Sequence, residues 1–199
     1  MFSKVKSLHG ETGGSIFTNG QGYDKFYPCK TKGDHPDALM RFIHDVGVPQ
    51  TLVTDGAKEL TDGQAGATCQ EYRIDQKVTV PYSPWQNLAE ASIRELKRGV
   101  RRVIRRTGAH IRTWSYAAKW VTDIRRLTAL DLPQLEGQVP EAHISGCTPD
   151  ISPMALFDYW QVIYYHTPVA DFPFQKKTIG RWLGTARDCT DKMSFIIVG

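Results

Sequence analysis

The hydrophobic pattern changes period several times along the chain, and each change marks an element. Ser15-Ile16-Phe17-Thr18 and Tyr23-Asp24-Lys25-Phe26-Tyr27 are rich in β-formers, with Asn19-Gly20 and Gly22 between them. Asn-Gly between two such runs is a strong hairpin signal. Residues 2–28 therefore read as an antiparallel meander, with a further turn at residues 9–14. Leu39, Phe42, Ile43 and Val46 then fall on one helical face, with Pro36 at its start and Gly47 at its end. Residues 50–54 read as a short strand that runs into Asp55-Gly56, which puts a carboxylate at the strand's carboxyl-terminal rim.

Residues 69–74 suggest a short helix, and residues 77–82 an extended segment broken by Ser83-Pro84. A long helix follows over residues 87–106, where Ala89, Ile93, Leu96, Val100 and Ile104 repeat at amphipathic spacing. Thr107-Gly108 closes it. Residues 113–127 form another helix, with Trp114, Ala117, Val121, Ile124 and Leu127 as its buried side. Prolines, glycines and polar residues make residues 131–153 a linker. The β pattern returns over residues 159–165, 179–185 and 193–198, a small β-barrel-like or sheet appendage in which Trp160, Tyr164 and Trp182 are core. The divisions are thus residues 1–130 as an α/β core, 131–155 as linker and 156–199 as a β module.

Composition narrows the classes. The 199 residues are 41% hydrophobic and 23% charged, ordinary for one globular unit. No apolar run is long enough to span a bilayer, so no membrane is expected as partner. The four cysteines, Cys29, Cys69, Cys147 and Cys189, have no zinc-site spacing and read as ordinary thiols of a reducing compartment, cytosolic or nuclear. The net charge of +4 is unevenly spread: residues 91–127 hold eleven Lys or Arg against two acids, and the rest is acidic. A concentrated basic block on a helix points to a polyanion.

The chemistry-bearing residues are two carboxylates. Asp55 ends a strand and Glu90 stands in a helix's first turn, 35 positions later. Two acids on separate rigid elements can converge on a divalent ion, and Mg²⁺ takes hard oxygen ligands while keeping several waters. Glu90, Arg94, Lys97 and Arg101 follow at steps of four, three and four, so they share one helical face. Arg98, Arg102, Arg105 and Arg106 extend the positive surface. Taken singly, an Asp-Gly is a turn and a first-turn Glu is a dipole partner. A glycosidase-like carboxylate pair would leave the basic helix unexplained.

These pieces resemble a known family. VGVPQTLVTDGAKEL looks like the strand that delivers the second catalytic aspartate of retroviral and LTR-retrotransposon integrases, nearest the copia type. YSPWQNLAEASIRELKR looks like the segment that delivers the catalytic glutamate, and TWSYAAKWVTDIRRL is similar to the next helix. WQVIYYHTP, IGRWLGTARD and MSFIIV look like the β-rich module that follows the core in retrotransposon polyproteins.

The resemblance implies an RNase H-like fold, a mixed five-stranded sheet flanked by helices. It implies DNA 3′-end processing and strand transfer by metal-dependent phosphoryl transfer. Asp55 and Glu90 would hold Mg²⁺ or Mn²⁺, and Arg94, Lys97, Arg98 and Arg101 would bind DNA, with Tyr82 and Gln86 touching substrate ends from a loop. Its partners would be double-stranded DNA, from the element ends and the target, and further copies of the chain assembled on it. Its site of action would be the nucleus, reached from a cytoplasmic particle.

Departures are specific. The family's first acid would fall at or just before Met1, and the first acid here is Glu11, with Asp24 as a fallback. Gly56-Ala57 replaces the family's Asn-Gly, the glycine before the glutamate is missing, and so is the amino-terminal zinc module. These departures predict an amino-terminally truncated fragment of impaired activity. The alternative is a non-catalytic nucleic-acid-binding remnant.

Overall fold

The computed structural model describes residues 1, 3–54, 63–79, 88–166, 173, 177–186 and 193–199. The meander forms as the alternation predicts. Strands β1 (Gly13–Thr18) and β2 (Asp24–Cys29) pair antiparallel, from Gly13 opposite Cys29 to Thr18 opposite Asp24. Asn19 shapes the connection: its side-chain oxygen accepts the N–H of Gln21 at 2.8 Å, while Gly20 and Gly22 take positive φ.

Neighbouring residues on each strand point to opposite faces, and both faces are covered. Ile16 and Phe26 join one hydrophobic cluster, whereas Phe17, Tyr27 and Cys29 join clusters on the other side. Helix α1 (His35–Val46) covers the latter side through Ala38, Leu39, Phe42 and Ile43. Strand β3 (Thr51–Thr54), helix α2 (Gly63–Glu71) and strand β4 (Asp75–Val78) make a parallel β-α-β unit whose Leu52, Cys69 and Ile74 complete that cluster.

Helices α3 (Leu88–Thr107) and α4 (Trp114–Leu127) cover the other face. Leu96 and Val100 of α3 meet Trp114, Ala117, Ala118 and Val121 of α4 over Phe26. Gly99 brings the two helices close, because a Cβ there would stand 2.7 Å from Cγ1 of Val121. The α3 end is set by Gly108, at φ 67°, whose N–H returns to the carbonyl of Ile104.

Several expectations need correction. Among the described residues the strands form three small sheets, not one five-stranded sheet. Among the described residues, Met1 and Ser3 add to the first of them. Gly14 exchanges both backbone hydrogen bonds with Met1, and Ser3 donates to Thr12, so these two residues lie on the β1 edge opposite β2. No described strand carries the ladder from there to β3. Helix α2 begins six residues before the predicted start, since Gly63-Gln64-Ala65-Gly66 offers no apolar repeat to announce it.

The predicted linker is also structured. A 3-10 turn (Pro133–Leu135) and two short helices, α5 (Pro140–Ser145) and α6 (Ser152–Ala155), occupy it, and Leu135 is fully buried. Arg126 of α4 binds both Asp123 and Glu141 of α5.

The β module is a three-stranded antiparallel sheet of β5 (Val162–His166), β6 (Lys177–Thr185) and β7 (Phe195–Val198), with a bulge between Trp182 and Gly184. It is an open sheet among the described residues, with no barrel closure. Trp182 is buried as expected, but Tyr164 is 72% exposed, because it occupies an outward position of β5 beside Ile179. Trp160 is half-buried, with the Arg181 guanidinium 5.7 Å above its ring. The module is joined to the first unit: Tyr159 and Leu183 belong to the α3–α4 cluster. The Tyr159 hydroxyl donates to the carbonyl of Thr113 at 3.1 Å.

Candidate nucleic-acid interface

Helix α3 carries the candidate site because its sequence is divided cleanly around its axis. Ser92, Leu96 and Val100 are buried and anchor one side. Ala89, Ile93 and Ile104, placed on the same stripe by the sequence, are only half-buried. The opposite side is cationic. Arg94, Lys97, Arg98, Arg101, Arg102, Arg105 and Arg106 are all exposed. Arg98 pairs with Glu95 at 2.9 Å. Arg94, Lys97, Arg101, Arg102, Arg105 and Arg106 make no ion pair among the described residues. Such a run of like charge repels itself, and a polyanion relieves that repulsion.

Glu90 lies in the first turn of α3 and is exposed. Arg94, Lys97 and Arg101 follow on its face at the helical repeat, as the spacing predicted. The first turns of α3 are fixed to the sheet: Thr18 at the end of β1 meets the Ser92 hydroxyl at 3.1 Å, and Leu88 packs on Gly20 of the β1–β2 turn. Glu90 therefore stands on a rigid element.

Asp55, Tyr82 and Gln86 lie outside the described residues, and so does any contact between Asp55 and Glu90. Thr54, the last residue of β3, directly precedes Asp55. Among the described residues no three acid, His or Cys side chains gather as a metal cage. Asp24, the fallback acid, is 1% exposed and faces α4, where Arg125 approaches its carboxylate at 3.7 Å. It is an internal ion-pair partner closed to solvent. No helix among the described residues is long and apolar enough to cross a membrane.

No family model matches the sequence, and no curated protein matches it. Solved structures do. The HTLV-2 integrase catalytic core domain, in complex with magnesium in a trimeric form, is similar over 66% of this chain and 93% of that one, at 13% identity and a TM-score of 0.50. A simian T-cell lymphotropic virus intasome in complex with PP2A regulatory subunit B56 gamma is similar over 100% of this chain and 80% of that one, at 15% identity and a TM-score of 0.53.

The fold is that of a retroviral integrase core. At this level of identity the likeness is one of architecture, and the second match extends it through the β module. On this integrase-core scaffold the structure adds residues that sequence spacing did not single out. Thr18 and Ser92 fasten α3 to the sheet, Gly99 lets α4 approach, and Arg125 meets Asp24. The Thr18–Ser92 contact joins residues 74 positions apart and has no local sequence signature.

Proposed function

We propose that the chain is a copia-type retrotransposon integrase core that processes DNA 3′ ends and joins them to target DNA in the nucleus. One observation carries the reading beyond its fold: the exposed face of α3 places Glu90 in line with Arg94, Lys97 and Arg101, cations with no ion-pair partner among the described residues. Those cations would hold DNA phosphates beside the carboxylate, fixing the backbone without reading sequence.

Asp55 and Glu90 supply the hard oxygen donors that Mg²⁺ takes, the ion named with the HTLV-2 core. Bound there, the metal would stabilise charge developing on the attacking and leaving oxygens. The chain's own work is positioning: α3 is fixed through Ser92 and Leu88, and the basic face aligns the duplex. Copies of the chain would assemble on the DNA ends, as integrases do in an intasome.

The edge register suggests where a third acid would go. Met1 opposes Gly14 and Ser3 opposes Thr12. A strand continuing in that register before Met1 would pass Ile16 and reach Thr18, which touches Ser92. A carboxylate carried there would stand beside Ser92, against the first turns of α3, the helix that carries Glu90.

The test compares this chain with a version extended by several residues that place Asp or Asn opposite Thr18, in a strand-transfer assay with Mg²⁺. The Asp extension is expected to join DNA, with joining abolished by Asp55→Asn or Glu90→Gln. Joining that survives both substitutions would overturn the metal-pair assignment. The second reading, a DNA-binding remnant without catalysis, rests on the exposed basic face of α3 alone. It predicts duplex binding through Arg94 and Lys97 and no joining with either extension.

A further inference from the structure

A groove of about 690 Å³ runs between α3 and α4 on the side of α3 turned away from Glu90. Arg102 and Arg106 stand twelve and sixteen residues after Glu90, roughly 120–160° round the helix from it. They therefore face a different direction from Arg94 and Lys97. The floor of the groove is apolar: Val103 of α3, Val121 and Ile124 of α4, and the tilted rings of Trp120 and Tyr159, with centroids 5.8 Å apart. Its rim is charged and cationic on balance: Glu95 is paired with Arg98 and Arg125 with Asp24, and Asp158 is the other acid of the lining. Arg102 and Arg106 line one side and make no ion pair among the described residues. Trp120 is a polarised ring at the floor: its indole N–H is closed to solvent and has no hydrogen-bond partner among the described residues.

We propose that this groove is a docking site for a short acidic peptide segment of another protein, anchored by an apolar or aromatic side chain. Charge alone would suit a nucleic-acid backbone as well. The apolar floor decides between them. Phosphates gain nothing from Val103, Val121 and Ile124, whereas a peptide fills the floor with its anchor and meets Arg102 and Arg106 with its carboxylates. The site is independent of the DNA-joining reading, because it uses neither Asp55 nor Glu90.

The experiment selects a displayed library of short random-sequence peptides on the whole chain. Enriched peptides are then measured by fluorescence anisotropy, beside a short DNA duplex. The expected winners combine Asp or Glu with Leu, Phe or Trp. Their binding should weaken more than about tenfold with the pair Arg102→Glu and Arg106→Glu, and again when the anchor is changed to Ala. Trp120→Ala, which removes one ring of the apolar floor, should weaken it severalfold. The pair Arg94→Gln and Lys97→Gln should leave peptide binding unchanged while weakening the duplex. No enrichment over the Arg102→Glu and Arg106→Glu protein, or enriched peptides that bind equally without their apolar anchor, would overturn the proposal. The second outcome, with duplex DNA displacing the peptides, would make the groove part of the nucleic-acid surface.

Discussion

Replacing Gly99 by Ala sets two known effects against each other at a single atom. Away from any neighbour, Ala in a helix interior is worth about 1 kcal/mol over Gly. Here the added Cβ would lie 2.7 Å from Cγ1 and 3.4 Å from Cγ2 of Val121. A relaxed carbon pair sits near 3.5–4.0 Å, so about 1 Å must be found. Val121 is buried, and a valine in a helix has one dominant χ1 rotamer. The strain therefore falls on the helix pair, and overpacking of this kind costs about 1–3 kcal/mol. The net expectation is destabilisation of about 1 kcal/mol.

Urea unfolding followed by circular dichroism reads this as a lower midpoint at constant slope. The decisive measurement is a double-mutant cycle with Val121→Ala, which removes the two clashing methyl groups. Val121→Ala alone opens a cavity and should cost about 1–3 kcal/mol. Beside Gly99→Ala it should cost about 1–2 kcal/mol less, a coupling typical of touching residues. If Gly99→Ala raises the midpoint and the cycle shows no coupling, the close α3–α4 approach is wrong, and with it the shape of the groove between them.

Two further expectations concern charge. Burial pushes the Tyr159 hydroxyl up to about 12. An acid whose folded value is raised contributes stability below its unfolded value and loses it as pH rises towards the folded one. Stability should therefore fall between about pH 10 and 12, by roughly 2–3 kcal/mol, and Tyr159→Phe should flatten that slope in pH-dependent urea melts. For DNA, the pair Arg94→Gln and Lys97→Gln should reduce the slope of log affinity against log salt by about two for a duplex, read by anisotropy across a salt series. An unchanged slope would mean that these side chains do not touch phosphate.

Much of the local structure could be read from residue order, because local physics sets it. Asn19-Gly20 specified a hairpin turn, and the alternation of Ile16 with Phe17 and Phe26 with Tyr27 specified two covered faces. The length of α3 and its exposed cations followed from the helical period, as did the common face of Glu90, Arg94, Lys97 and Arg101. Features that depend on distant partners could not be read that way. Helix α2 is held by tertiary packing of Ala65, Gly66, Thr68 and Cys69 rather than by an apolar stripe. The helices after residue 130 exist because Leu135 and Pro140 are buried and Glu141 meets Arg126. Tyr164 resembles a core residue in composition, yet its parity on β5 sends it outward. The sheet's assembly depends on edge partners that no window of sequence names.

The shared packing of Tyr159 and Leu183 with α3 and α4 bears on how this protein can be cut. A boundary at residue 130 looks natural from proline and glycine content. A clone ending there would uncover Trp120 and remove Tyr159 and Leu183 from the cluster that holds Trp114 and Phe26, leaving a sticky apolar scar beside a strongly cationic rod. Such a piece should clump with itself and with any nucleic acid in the lysate, and the remedy is to keep the chain through its last strand.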